Sequence, residues 1–347
     1  MEWPPSCCTL AFVTKTDDNI VRINSEGYAP FEQSLDDLSF VESEAGNSKA
    51  LVKGIAKYFV DNGCNVGGFT ASVTSCVPAA AGVSSSASFE LLIAEIFNVL
   101  YNDGAVSKMK KAQASQYAEN VYFLKPCGLM DQSAISLGGV SMIDFENVEN
   151  PFVLGVQYPF TDTDIVITNT GGNHADLTSD YAAIRAEMEE VSEKFSEKYL
   201  RLVDYQKFLD AIPALQNEVS GRAIMRAIHF FDENLRVDKA VSAINMKNAD
   251  AFYKIVNESG DSSFKLLQNC YVPADTVQRI PLGIVLSQHV TGVKAVRVHG
   301  GGFAGTIIAF VEKAETHEYV SRMSEVFGAE HVYKLSIRQE GACRVEF

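Results

Sequence analysis

Residues 78–90 read Pro-Ala-Ala-Ala-Gly-Val-Ser-Ser-Ser-Ala-Ser-Phe-Glu, a run of small residues that leads into the apolar-periodic segment 89–101. A helix leaves its first N–H groups unpaired and carries partial positive charge there, so small residues before a helix let an anion approach the backbone. The hydroxyls of Ser84, Ser85 and Ser86 are suited to hold a phosphate, and an ordinary serine-rich helix cap is the alternative interpretation. Because no Lys follows the glycine, the G-x-x-x-x-G-K-[ST] phosphate loop is excluded.

The bulk composition is that of a folded globular protein. The chain has 347 residues, 47% of them hydrophobic and 21% charged, which is enough for two domains or one large interleaved unit. Its formal net charge of −15 argues against nucleic acid as a partner, because proteins that bind nucleic acid concentrate Lys and Arg. An anionic nucleotide would therefore need local help from helix dipoles and Mg²⁺.

The seven cysteines contain no C-x-x-C pair and no disulfide framework of a small secreted domain, so we expect a reducing, cytoplasmic location. The opening Met-Glu-Trp-Pro-Pro lacks the basic and apolar regions of a signal peptide, and no stretch reaches about 18 apolar residues. We therefore expect no membrane anchor. Nothing in the sequence indicates the oligomeric state.

Strand-like segments lie toward both ends of the chain, and helical periodicity dominates from Thr178 to about Leu267. Thr178 is predicted to cap a long amphipathic helix. The predicted strands span 9–13, 20–23, 69–75, 140–145, 165–169, 295–298, 306–311 and 332–337. Further predicted helices span 48–61, 89–101, 107–121 and 315–327. This pattern indicates an α+β protein whose two lobes meet near residue 160.

Three short segments carry the chemistry: the serine loop (residues 78–86), Cys-Gly-Leu-Met-Asp-Gln at 127–132, and Val-His-Gly-Gly-Gly-Phe-Ala-Gly at 298–305. Together with residues 118–123 and 169–185 they resemble the galactokinase branch of the GHMP small-molecule kinases. Any one segment is a weak signal because glycine-rich turns are common, but five in the family's order make a strong one. The resemblance covers the chain from about residue 14 to its end.

This resemblance implies a fold and an activity. The fold is a two-lobed α+β GHMP kinase fold, with a truncated ribosomal S5 domain 2-like lobe over residues 1–160 that carries the ATP-binding serine loop, and a ferredoxin-like lobe over residues 161–347. The implied activity is ATP-dependent phosphorylation of galactose to galactose 1-phosphate. The alternatives are a non-catalytic galactose- or ATP-binding sensor, a fragment without stable function, and another GHMP sugar kinase such as an N-acetylgalactosamine kinase.

Three residues receive roles in phosphoryl transfer from the resemblance. Asp131 matches the family's catalytic aspartate. A carboxylate placed against the sugar hydroxyl can align that hydroxyl and take its proton. Ser86 and Glu119 match the Mg²⁺ ligands, whose hard oxygens suit this ion. The structural alternatives are a helix N-cap for Asp131 and an ordinary exposed helical position for Glu119.

The remaining assignments concern ATP and the sugar. The resemblance places Gly128, Asp131 and Tyr181 at the sugar, where core packing is the alternative role for Tyr181. Glycines at the third segment allow positive φ and close backbone approach, and a tight turn is the alternative explanation for them. The residues assigned to ATP are Gly82, Ser84, Ser85, Ser86, Gly300, Gly301 and Gly302.

Two departures from the family pattern bear on activity. The chain has no stretch of the form Gly-Arg-x-Asn-Leu-x-Gly-Glu-His-x-Asp, which in galactokinases supplies an arginine near the catalytic aspartate and several sugar contacts. Losing such a charge would lower the rate by ~10²–10³. Ala80 and Ala81 also stand where the family usually has a glycine, so we expect weaker ATP binding.

Overall fold

The computed structural model describes residues 8–77, 84–171, 178–271, 276–303 and 305–345. The strands are β1 (Thr9–Lys15), β2 (Ile20–Ser25), β3 (Phe31–Ser34), β4 (Phe69–Ser75), β5 (Val140–Asp144), β6 (Phe152–Val156), β7 (Thr163–Asn169), β8 (Val293–Val298), β9 (Thr306–Glu312) and β10 (Val332–Leu335). The helices are α1 (Ser48–Asp61), α2 (Ser85–Tyr101), α3 (Lys108–Tyr117), α4 (Met130–Leu137), α5 (Thr178–Glu193), α6 (Tyr205–Leu215), α7 (Gly221–Asn245), α8 (Ala249–Ser262), α9 (Arg279–Gln288) and α10 (Thr316–Phe327).

The chain forms two compact units. The first comprises Met1–Ser141 together with Ile337–Phe347, and the second comprises Met142–Ser336. The boundary between the units lies between Ser141 and Met142, before the expected position near residue 160. The C-terminal residues from Ile337 onward belong to the first unit. Backbone bonds hold this return, from Gly139 N to the Arg338 carbonyl at 2.7 Å and from Ala342 N to the Ile135 carbonyl at 3.2 Å. The predicted lobe extents, 1–160 and 161–347, stay predictions.

The first unit is built on a four-stranded sheet in the order β1-β4-β2-β3. β1 runs antiparallel to β4, β4 runs parallel to β2, and β2 and β3 are antiparallel neighbours. Phe69, Ala71 and Val73 of β4 are buried while the residues between them are exposed, the period of two that a half-buried strand requires. The buried face packs with Ile55 of α1 and Phe97 of α2.

Helix α2 is the element that the serine loop leads into, and its apolar stripe forms part of the core as predicted. Ile93 and Ile96 are buried, and Phe89, Leu92 and Leu100 pack against the same cluster. Ser88 in the first turn of α2 shares a hydrogen bond of 2.7 Å with Thr9 of β1, which pairs with Ser75 at the end of β4. The predicted helix over 107–121 is instead α3 followed by a π-helical turn, Ala118–Tyr122.

The second unit has a four-stranded antiparallel sheet in the order β10-β7-β9-β8. Its core includes Val166, Ile307, Tyr319 and Met323. A separate apolar cluster around Phe208 lies among the helices between the strands. Strands toward both ends with helices between them confirm the α+β prediction.

Two strands of the structure, β3 and β6, were not predicted. Helix α5 spans Thr178–Glu193, and the role of Thr178 as its cap stays a prediction. β5 and β6 pair with each other in a separate two-stranded sheet. Within the described ranges, no helix is long and apolar enough to cross a membrane.

Candidate active site

Ser84 is the residue of the serine loop directly before α2, and its side chain faces Asp131 rather than the helix that follows. Ser84 has a left-handed backbone with φ of 57° and makes no side-chain cap on α2, which begins at Ser85. Instead, Ser84 Oγ donates a hydrogen bond of 2.5 Å to Asp131 Oδ2. Ser84 thus occupies the N-cap position of α2, but its side chain does not cap the helix. Gly82 lies outside the described residues.

Asp131 lies in the first turn of α4 and is exposed. The N-cap position of α4 is Leu129, so Asp131 does not act as the capping residue. A negative charge in the first helical turn is stabilised by the helix dipole. The carboxylate of Asp131 is thus held by its helix and by Ser84 while it stays open to solvent, an arrangement suited to contact a hydroxyl group of a ligand.

Glu119 is buried in the π-helical turn Ala118–Tyr122 and accepts hydrogen bonds at both carboxylate oxygens. Ser86 Oγ donates to Glu119 Oε1 at 3.3 Å, so the structure brings together the two residues predicted to bind Mg²⁺. Lys125 Nζ lies 2.8 Å from the same oxygen. π-Helical turns interrupt helices frequently at functional sites. The alternative interpretation of Glu119 as an ordinary exposed helical residue is wrong.

The donor set at Ser86 and Glu119 fits a magnesium ion. A hydroxyl and a carboxylate are hard oxygen ligands, and Mg²⁺ uses one or two such protein groups and completes its shell with water and phosphate. Among the described residues, no group of three or more His, Cys, Asp or Glu side chains could hold a metal ion. A metal at this position would therefore depend on a bound phosphate for the rest of its ligands.

Gln132 and Glu90 are buried residues connected to Glu119. Neither was predicted as a site residue from the sequence. Gln132 Nε2 donates to Glu119 Oε2 at 2.9 Å and to Glu90 Oε2 at 3.3 Å, and Gln132 is only 1% exposed. Burial, followed by repulsion from Glu119, raises the pKa of Glu90 to about 8. Glu90 Oε1 and Gln132 Oε1 have no hydrogen-bond partner in the part of the chain that the structure describes. Gln132 therefore links two buried carboxyl groups directly behind Asp131.

Asn120 of the π-helical turn holds the loop before α4 through two hydrogen bonds to Cys127. Asn120 Oδ1 accepts from Cys127 N at 2.6 Å, and Asn120 Nδ2 donates to the Cys127 carbonyl at 3.2 Å. Gly128 follows in an open, exposed position, where an added Cβ would meet no atom within 4 Å. Its backbone is accessible, as the predicted contact with a sugar requires, although steric crowding does not demand a glycine there.

In the second unit, the glycine loop (residues 300–302) packs tightly against Tyr181 and Asn269. Tyr181 Oη donates to the Gly302 carbonyl at 2.5 Å, and Asn269 Nδ2 donates to the Gly301 carbonyl at 3.1 Å. A Cβ on Gly301 would lie 2.7 Å from the Tyr181 ring, and one on Gly302 would lie 2.1 Å from the Asn269 carbonyl oxygen. The close approach explains the glycines at 301 and 302. Asn269, like Gln132, was not predicted.

Comparisons with known proteins bear on the family and the fold of this chain. Residues 50–139 match the family described as GHMP kinases N terminal domain. The galactokinase of Clostridium tetani is 30% identical over 342 residues, which cover 94% of this chain and 82% of that protein. The galactokinase of Homo sapiens is 30% identical over 297 residues, which cover 84% of this chain and 71% of that protein.

Solved structures show the same fold. The galactokinase of Lactococcus lactis in complex with galactose superimposes with a TM-score of 0.79 at 26% identity, covering 96% of this chain and 86% of that chain. Mevalonate kinase of L. major, with R-mevalonate, superimposes with a TM-score of 0.61 at 10% identity and covers 96% of this chain and 87% of that one. At that identity the likeness concerns the fold alone, and it confirms the predicted GHMP kinase architecture.

Proposed function

Because this chain belongs to the galactokinase family of GHMP kinases, we propose that it transfers the γ-phosphoryl group of ATP to galactose, forming galactose 1-phosphate and ADP. The observation that carries the proposal is the convergence of Asp131, Ser84, Ser86 and Glu119 within the first unit. These residues supply a carboxylate for the sugar hydroxyl and oxygen ligands for a phosphate-bound cation.

Asp131 acts on the hydroxyl at C1 of galactose. A bond forms between that oxygen and the γ-phosphorus, the bond from the γ-phosphorus to the oxygen of ADP breaks, and the hydroxyl proton passes to the Asp131 carboxylate. Ser84 donates to Oδ2 of Asp131 and so restricts the rotation of the carboxylate. An aligned hydroxyl and a fixed carboxylate together reduce the entropic cost of the transfer.

Ser86 and Glu119 would hold Mg²⁺ with the nucleotide. When bound, the ion neutralises charge between the β- and γ-phosphates. Ser86 lies in the first turn of α2, whose unpaired backbone N–H groups favour phosphate. Gln132 keeps Glu119 oriented from the buried side through its bond to Oε2. The assignments of Gly82 and residues 300–302 to ATP, and of Gly128 and Tyr181 to the sugar, rest on the family resemblance.

We further propose that the chain works in the cytoplasm, with galactose and ATP as its ligands. No disulfide links the cysteines among the described residues, which is consistent with a reducing compartment. The net charge of −15 makes nucleic acid an unfavourable partner.

The experiment that tests the activity is galactose-dependent release of ADP from ATP by the purified chain, with Mg²⁺ present and absent. The Asp131→Asn variant removes the charged acceptor and should lower release by at least about a hundredfold. Asp17→Asn is the matched control, since Asp17 is an exposed aspartate in the turn between β1 and β2. Release that does not require galactose, or that Asp131→Asn leaves unchanged, would contradict the proposed function.

A further inference from the structure

Lys125 places a positive charge on the proposed metal ligand. Its Nζ lies 2.8 Å from Glu119 Oε1, the same oxygen that accepts the Ser86 hydroxyl at 3.3 Å. An ammonium group, a hydroxyl and a carboxylate oxygen therefore meet at one point. A metal ion bound by Ser86 and Glu119 would use the lone pairs of this same oxygen, Glu119 Oε1.

The two partners of this ion pair differ in burial. The Glu119 side chain is 4% exposed, whereas the Lys125 side chain is 60% exposed. A buried carboxylate is costly without a compensating charge, so a cation beside Glu119 stabilises it. A long, exposed lysine side chain can leave its partner at little cost, because water then solvates the ammonium group.

The backbone holds Lys125 close to Glu119. The N–H of Lys125 donates to the Glu119 carbonyl at 3.0 Å, which fixes the start of the lysine side chain beside the carboxylate. Leu124, the residue before Lys125, has a left-handed backbone with φ of 60°. The lysine thus stays near Glu119 after its ammonium group has left Oε1, and it can return when the site empties.

We propose that Lys125 is a built-in counter-ion that neutralises Glu119 in the absence of metal and competes with Mg²⁺ for that carboxylate. This inference rests on the proposed assignment of Mg²⁺ to Ser86 and Glu119. Competition follows because two cations on one carboxylate oxygen repel each other. The other oxygen, Oε2, is occupied by the neutral donor Gln132 Nε2, which holds Glu119 in place when the lysine departs.

The test measures Mg²⁺ binding directly. Mg²⁺ is titrated by calorimetry into the full chain saturated with the β,γ-imido analogue of ATP, for the parent, Lys125→Gln and Lys125→Arg. Lys125→Gln keeps a hydrogen-bond donor but removes the charge, and should bind Mg²⁺ about twofold to fivefold more tightly, the size expected of an ion pair with one exposed partner. Lys125→Arg keeps the charge and should bind like the parent. Equal or weaker binding by Lys125→Gln would overturn the inference.

A third variant separates the inference from the proposed function. Glu119→Gln should weaken Mg²⁺ binding; if it binds like the parent, the metal assignment fails and the inference fails with it. If Glu119→Gln weakens binding but Lys125→Gln does not strengthen it, only the inference about Lys125 fails.

Two further measurements distinguish the proposed role of Lys125 from a purely structural one. Mg²⁺ with the ATP analogue should raise the Tm of Lys125→Gln more than that of the parent, whereas a structural residue would give equal increments. If Lys125→Gln does not fold, acylation of the parent followed by mass spectrometry answers the same question. Mg²⁺ alone should make Lys125 more reactive, and unchanged or lower reactivity would contradict the inference.

Discussion

Ser84 Oγ and Asp131 Oδ2 are joined by a hydrogen bond of 2.5 Å across 47 positions of the chain. The bond connects the residue before α2 with the first turn of α4, so the serine loop and the proposed catalytic carboxylate are parts of one arrangement. The left-handed backbone of Ser84 directs the hydroxyl away from α2 and toward α4. A residue expected to hold phosphate thereby also positions the carboxylate.

Replacing Ser84 by Gly tests the role of the hydroxyl group while keeping the left-handed backbone at this position. Glycine adopts positive φ freely, so Ser84→Gly removes the hydroxyl without adding strain, and stability should stay within about 1 kcal/mol of the parent. The rate of galactose phosphorylation should fall about tenfold, the size expected of one hydrogen bond to a charged group. Asp103→Gly is a matched control, since Asp103 is an exposed residue with φ of 52°. A parent-like rate in Ser84→Gly would mean that this bond is not used in catalysis.

Gln132 should be essential for stability, because it is the neutral bridge between two buried carboxyl groups. Gln132→Leu leaves Glu90 and Glu119 without their shared donor, so we expect the free energy of unfolding to fall by about 2–4 kcal/mol. Urea denaturation measures this change. Gln206→Leu, at an exposed position of α6, should change it by less than about 0.5 kcal/mol. Similar effects for the two variants would show that the bridge contributes little.

Much of the fold could be predicted from local sequence patterns. Helical spacing predicted α1 over the observed Ser48–Asp61, and the alternation of apolar residues predicted β4 over the observed Phe69–Ser75. β3 was missed because it has only four residues, three of them polar, and pairs with β2 alone. β6 follows a proline and contains a glycine, and its pairing with β5 is not visible in its own sequence.

The structure brings together residues that the motifs singled out, whereas the sequence missed residues whose roles arise from contacts in the fold. Ser86 and Glu119 came from the family resemblance, and the structure brings them together. Gln132, Lys125 and Asn269 acquire their roles only through partners that lie next to them in the fold. Glu90 did leave a signal, since it is a charged residue on the helix face that also carries Ala94 and Phe97, both buried.

The stability of the chain should fall between about pH 4.5 and pH 8 because of Glu90. Its pKa is raised from 4.5 to about 8, chiefly by burial, so the folded protein holds a proton there that the unfolded chain releases. The unfolded state then binds fewer protons, and the free energy of unfolding decreases as the pH rises through this window, by a few kcal/mol in total. Glu90→Gln should abolish this contribution. Urea denaturation at pH 5, 7 and 9 compares the two proteins; a stability difference that does not change with pH would refute the prediction.

The glycine loop offers a comparison between conformational strain and steric clash. Gly300 and Gly302 both have positive φ, 68° and 82°, but a Cβ on Gly300 meets no atom within 4 Å whereas one on Gly302 would lie 2.1 Å from the Asn269 carbonyl oxygen. Gly300→Ala therefore incurs only the backbone strain, about 1 kcal/mol, and serves as the control for Gly302→Ala, which must also displace Asn269. We expect Gly302→Ala to lower the Tm clearly more than Gly300→Ala does. If the loop contacts ATP, as the family resemblance implies, Gly302→Ala should also raise the KM for ATP more strongly. Equal Tm values for the two variants would show that Asn269 yields easily, and that glycine at 302 is required for its conformation alone.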